Sequence, residues 1–207
     1  MENISPRTVA GAMDYVAYRK LIDILFAAGK TTGPIQSPAM LNYTKLNIAR
    51  MKRLDKTTRL TPDTLAALEK ITAPQLWLVL TEAWCGDAAQ SIPVLEKMAE
   101  AQPKITLRYL LRDENLEIMD AFLTNGGRSI PKLIVTEGED YKVKATWGPR
   151  PSPLQDIVLL SRAQLLEIND AEARKIHTEA EKYNVQKWYA KDKTIQTQQD
   201  VVSVLFS

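Results

Sequence analysis

The sequence holds one cysteine, Cys85, and one histidine, His177, among 207 residues. A single thiol excludes an intramolecular disulfide framework and a zinc site made of several thiolates. It also excludes dithiol–disulfide cycling within one chain, which consumes two sulfurs. No apolar run approaches the ~20 residues of a membrane-spanning helix; Leu76 to Leu80, five residues, is typical. The opening MENISPRTVAGAMDY lacks the apolar stretch of a secretory signal. With the lone thiol, this gives the expectation of a reducing compartment, the cytoplasm. The net charge is only +2, from 27 basic and 25 acidic residues. Bulk charge therefore makes no case for nucleic acid. Neither nucleic acid nor membrane is an expected partner, and no metal centre or cofactor is expected.

What charge there is lies unevenly. Residues 1–74 carry eleven basic and six acidic residues, whereas 75–150 carry nine and eleven. The chain is 45% hydrophobic and can bury a core, so disorder over most of its length is excluded. Its length fits one large domain, or one domain with helical additions.

The first third reads as helical. Tyr15, Tyr18, Leu21, Ile22, Leu25 and Phe26 recur at three and four after a loose tail of residues 1–10. A second helix opens at Pro38, with Leu41, Leu46, Ile48, Met51 and Leu54 on one face and Lys45, Arg50, Lys52, Arg53, Lys56 and Arg59 on the other. Thr61-Pro62-Asp63 caps and starts a third, running to about Ile71. At Pro74 the pattern changes to strand Leu76–Thr81, helix Gly86–Ala101, strand Ile105–Leu111, helix Glu114–Thr124, strand Lys132–Thr136, strand Lys142–Trp147. The two crossovers argue for parallel pairing and the final pair for an antiparallel hairpin. After the proline-punctuated loop Gly148–Pro153, Leu154–Ile168 and Glu172–Tyr183 read as helices; Tyr189–Leu205 reads as a helix or, over Val201–Phe206, a strand. The expected divisions are residues 1–73, 74–150 and 151–207.

Cys85 stands between a buried strand and a helix start. Free amide N–H groups there favour a thiolate, the nucleophile of disulfide exchange. Asp87 acts the other way, since an acid near sulfur disfavours the anion. An inert cysteine filling a core gap is the other reading of the same residues.

The segment Trp84-Cys85-Gly86-Asp87-Ala88 resembles the active-site turn W-C-G-P-C of thioredoxins, and Ser129-Ile130-Pro131 resembles their cis-proline segment. The resemblance implies an α/β fold: a thioredoxin-like central mixed sheet of about four strands, flanked by helices, with added N-terminal and C-terminal helices. It also implies that Cys85 is the attacking cysteine, Pro131 the cis-proline, and Ile130 the backbone that pairs with an extended substrate. Ala88 replaces the family's second cysteine and Asp87 its proline. The blocks Leu111-Arg112-Asp113-Glu114-Asn115, Trp147-Gly148-Pro149-Arg150-Pro151 and a stretch from Asn47 to Lys56 are similar to those of a bacterial monothiol subfamily with a helical N-terminal extension.

The expected site is thus catalytic Cys85, with Trp84, Asp87, Arg128, Ile130 and Pro131 binding substrate and Glu82, Arg112 and Asp113 as accessories. Glu82 either accepts a proton or serves as a cap or partner of Arg128. Arg128 either holds a carboxylate or sulfur anion, or forms an ion pair; Arg112 pairs with Asp113 or with an acid such as Asp87. Three functions follow. One is monothiol exchange through Cys85, resolved by a small thiol such as glutathione, by another thiol, or by a protein with a reactive disulfide. A non-catalytic peptide- or protein-binding scaffold is the second, and a homodimer joined through Cys85 the third.

Overall fold

Three helices begin on the same local signal. Ser5, Ser37 and Thr61 each precede a proline, and each hydroxyl accepts the amide N–H three residues on, from Thr8, Met40 and Thr64. Such a cap satisfies a donor the helix start leaves open, and proline there gives up no bond. A computed structural model describes residues 3–207. The caps open α1 (Pro6–Gly11), α3 (Pro38–Thr57) and α4 (Pro62–Leu68), while Asp14 caps α2 (Tyr15–Ala27). The expected loose tail is therefore corrected: residues 6–11 are helical and Ile4 is buried in the core.

The sheet contains β1 (Gln75–Thr81), β2 (Ile105–Leu111), β3 (Lys132–Glu137) and β4 (Lys142–Trp147), in the order β2-β1-β3-β4. All seven residues of β1 are buried, as a central strand requires. β1 and β2 are parallel, from Gln75 opposite Ile105 to Thr81 opposite Leu111. β3 runs antiparallel to β1, Leu80 opposite Lys132, which corrects the expected second parallel crossover. The connection also holds less helix than expected. The expected helix Glu114–Thr124 is a 3-10 turn, Arg112–Glu114, followed by α6 (Leu116–Ala121) of six residues. Six helical residues span about 9 Å, less than half the ~23 Å of a seven-residue strand. The connection does not cross back over the sheet; it re-enters where β2 left it. This puts the start of β3 beside the end of β1.

α5 (Gly86–Ala101) packs against α3, α4 and β2. Leu78, Val79, Leu80, Ile92, Leu95 and Met98 are fully buried, and each contributes about 1.5–3 kcal/mol by leaving water. α7 (Ser152–Glu167) and α8 (Ala171–Asp192) form a hairpin, and α9 (Ile195–Leu205) returns to pack on β4, α4 and α5. The ambiguous 189–205 is thus helical, divided at Lys193 and Thr194, whose φ values are 53° and 72°. The fold is mixed α/β: a four-stranded mixed sheet flanked by helices, with helices added before and after it.

Candidate functional site

The turn from β1 into α5 is held by residues far off in sequence. The Ala83 amide donates to Thr32 Oγ1 at 2.8 Å, and the Ala83 carbonyl accepts from Asn47 Nδ2 at 2.8 Å. Both backbone groups of a buried loop residue are thereby satisfied, as burial demands. Asn47 Oδ1 in turn takes Arg50 Nη1 at 2.8 Å, so α3 fixes the turn from one side.

Cys85 is the N-cap of α5, with extended backbone. Its Sγ accepts from the Ala88 amide at 3.5 Å and donates to the Ile130 carbonyl at 3.3 Å. The Ile130–Pro131 peptide is cis. Sulfur, α5 and the entry to β3 therefore meet at one point, and Cys85 is only 8% exposed. Burial, and after it the neighbouring Asp87 carboxylate, push the thiol up to about 12; the Ala88 and Asp87 amides and Arg150 oppose them.

Asp87 is itself buried. Arg150 Nη2 lies 2.7 Å from Oδ2, and the Tyr189 hydroxyl donates to Oδ1 at 3.1 Å. Burial raises the Asp87 carboxyl, against the pull of Arg150 and Tyr189. Glu82 has no exposed surface and accepts the Asp113 amide at 2.9 Å. Burial raises its pKa as well, eased by Thr32 and that amide. Glu82 is not the partner of Arg128.

The remaining expected site residues divide into two groups. The Arg112 guanidinium stacks over Trp84 at 5.0 Å and pairs with Asp113 at 2.7 Å, so Trp84, Arg112 and Asp113 form one cluster, facing Gly33. Arg128 points elsewhere: it is half exposed and bidentate to Asp120, at 2.6 and 2.7 Å. An acid eight residues back on α6 captured it. Arg50, by contrast, turns toward the α5 start, while Arg53 and Lys56 are exposed. Among the described residues, no three His, Cys, Asp or Glu side chains gather closely enough for a metal ion. An open cleft of about 1360 Å³ lies along Thr32, Gly33 and Asp113, not against Cys85.

The thiol leaves a signature in stability. Burial carries the folded thiol from the ordinary value of 9.0 up to about 12. The stabilising effect of the neutral thiol is fully present below pH 9 and is lost as pH rises toward 12. The stability difference between wild type and Cys85→Ala should therefore fall by about 1.4 kcal/mol per pH unit in that window. Denaturant titration of both proteins checks it; parallel curves would contradict it. The alanine control removes the contribution of Tyr109 and the part of those of Tyr18 and Tyr189 that burial sets; the thiolate's charge raises the latter two as well.

Comparison with known proteins agrees with this geometry. A thioredoxin from Alicyclobacillus acidocaldarius subsp. acidocaldarius is 43% identical over 70 residues, covering 33% of this chain and 63% of that protein. The chain thus spans less than two thirds of that relative's length. A protein of unknown function from Pseudomonas aeruginosa superposes with a TM-score of 0.57 at 16% identity, over 98% of this chain and 97% of that one. An HIV epitope scaffold superposes with a TM-score of 0.54 at 15% identity, over 88% and 96%. At such identities these two share the fold alone. The family model for thioredoxin matches residues 33–175, from the loop that holds Ala83 through the sheet and into α8. A match over more than half its length, with the cysteine and proline meeting at the end of β1, places this chain in the thioredoxin family.

Proposed function

We propose that the protein exchanges thiols and disulfides through Cys85 alone, with a second thiol supplied from outside the chain. The observation that supports this is the position of Sγ, capping α5 and 3.3 Å from the Ile130 carbonyl beside Pro131. An extended substrate segment would pair with the backbone at Ile130, against Trp84 and Arg112. In the first step the Cys85 thiolate attacks one sulfur of R–S–S–R′. A Cys85–S–S–R bond forms, R′S⁻ leaves, and it takes up the proton that Cys85 gave up. An external thiol R″SH then attacks the R sulfur. R–S–S–R″ leaves and Cys85 recovers its proton, with no net oxidation. Glutathione, another small thiol, or a protein with a reactive disulfide would serve as R″SH or R–S–S–R′. The cytoplasm, kept reducing, is the compartment that would supply them.

The raised thiol favours a second reading, a thioredoxin-fold scaffold that binds a peptide beside Pro131 without turnover. Intact-mass analysis after exposure to glutathione disulfide separates the two. The exchange reading predicts one glutathionyl adduct on wild type, none on Cys85→Ser, and removal of the adduct by reduced glutathione. No adduct on wild type, over hours at pH 8, leaves the scaffold.

A further inference from the structure

α8 lies directly over the Cys85 turn. A Cβ added to Gly86 would stand 3.3 Å from Gln186 Nε2. Gln90 Nε2 donates to Gln186 Oε1 at 2.7 Å, and the Tyr189 hydroxyl reaches Asp87 one residue on from Gly86. Yet α7 and α8 pack chiefly on each other. Their buried apolar residues, Leu154, Val158 and Tyr189, join Val185 and Trp188 in a cluster separate from the main core. His177 ties the two helices together, 2.9 Å from the Ser161 carbonyl. Both ends of the hairpin are bends: the Gly148–Pro151 loop before α7, and the left-handed pair Lys193 and Thr194 after α8. A unit with its own small core, two bends and a few polar ties opens at lower cost than the body it covers.

We infer that the α7–α8 hairpin is a flap over Cys85, latched by Tyr189 on Asp87 and Gln186 on Gln90, whose opening decides when the thiol is reached. This rests on the reading of Cys85 as a working thiol. Opening would return water to the sulfur and remove the burial that keeps it protonated.

The test is native-state alkylation of Cys85 with iodoacetamide in wild type and in the double variant Gln186→Ala, Tyr189→Phe. The variant should label about fivefold faster, the effect of losing two hydrogen bonds at the low end of their usual worth. Loss of the Tyr189 hydroxyl by itself acts the other way on ionisation: Asp87 loses a donor, its field on the sulfur strengthens, and fewer thiolates form. Faster labelling therefore reads opening. Hydrogen exchange of wild type supplies the second measure, with amides of residues 154–189 expected to exchange faster than those of α5. Equal labelling rates in a folded variant, or hairpin amides as slow as those of α5, would overturn the flap. Should the variant fail to fold, the exchange data on wild type decide. Faster labelling without a glutathionyl adduct would uphold the flap and defeat the exchange reading.

Discussion

Gly148→Ala is expected to destabilise the protein by about 3–5 kcal/mol and to displace the Ile130 carbonyl from Cys85. A Cβ at Gly148 would stand 2.1 Å from the Pro131 carbonyl oxygen and 3.2 Å from its carbon. Both are backbone atoms, so no side-chain rotation relieves the clash. The φ of +114° adds strain that alanine cannot escape. Gly148 follows the end of β4, where Trp147 lies opposite Leu133, and so it backs the segment that presents Ile130 to the sulfur. Gly11→Ala is the control, since a Cβ there meets nothing within 4 Å. Urea midpoints of the two variants check the claim. A Gly148→Ala protein as stable as Gly11→Ala would mean that this close approach does not hold the site.

Asp87→Asn should move stability and reactivity in opposite directions. Asp87 and Arg150 are paired with side chains 12% and 14% exposed. Removing one charge of a buried pair leaves the other without compensation, at a cost of about 3–5 kcal/mol. The Asn oxygen can still accept from Tyr189, so that tie to α8 survives. For the sulfur the change is favourable. Asp87 is the second cause of its raised pKa, after burial. Each unit by which the thiol pKa falls gives about tenfold more thiolate below the pKa, and alkylation should quicken accordingly. Arg150→Met is the complement: it also destabilises, but it removes a cation that favours the thiolate, so alkylation should slow. The pair of rates, measured at one pH in folded protein, is the check. Slower or unchanged labelling in Asp87→Asn would remove Asp87 from the control of Cys85.

The parts of this site that were legible in the sequence are those made locally. Strand, turn and helix are contiguous through Cys85, and Ile130-Pro131 announces itself as a dipeptide, so local pattern and resemblance sufficed. The residues that hold the turn were not legible, because each reaches it across the chain. Thr32 is 51 residues from Ala83, Asn47 is 36, and Tyr189 is 102 from Asp87. Arg150 stood inside a recognised block, but nothing local tied it to Asp87. Arg128 was drawn toward the site by its nearness to Pro131, whereas Asp120, closer in space, holds it. The direction of β3 depends on where the connection after β2 re-enters the sheet, and no local pattern marks that point. The break before α9 falls on Lys193 and Thr194, with neither glycine nor proline to mark the left-handed backbone.

On the exchange and flap readings proposed above, the resting thiol is kept closed and protonated by burial, by Asp87 and by the helix above it. Ultraviolet absorbance of the thiolate, taken as the difference between wild type and Cys85→Ser across pH, tests this most directly. Unfolded protein should titrate near the ordinary thiol value of 9.0. Native protein should stay flat through pH 9, with its midpoint displaced toward 12. A native midpoint at or below that of the unfolded chain would contradict the account.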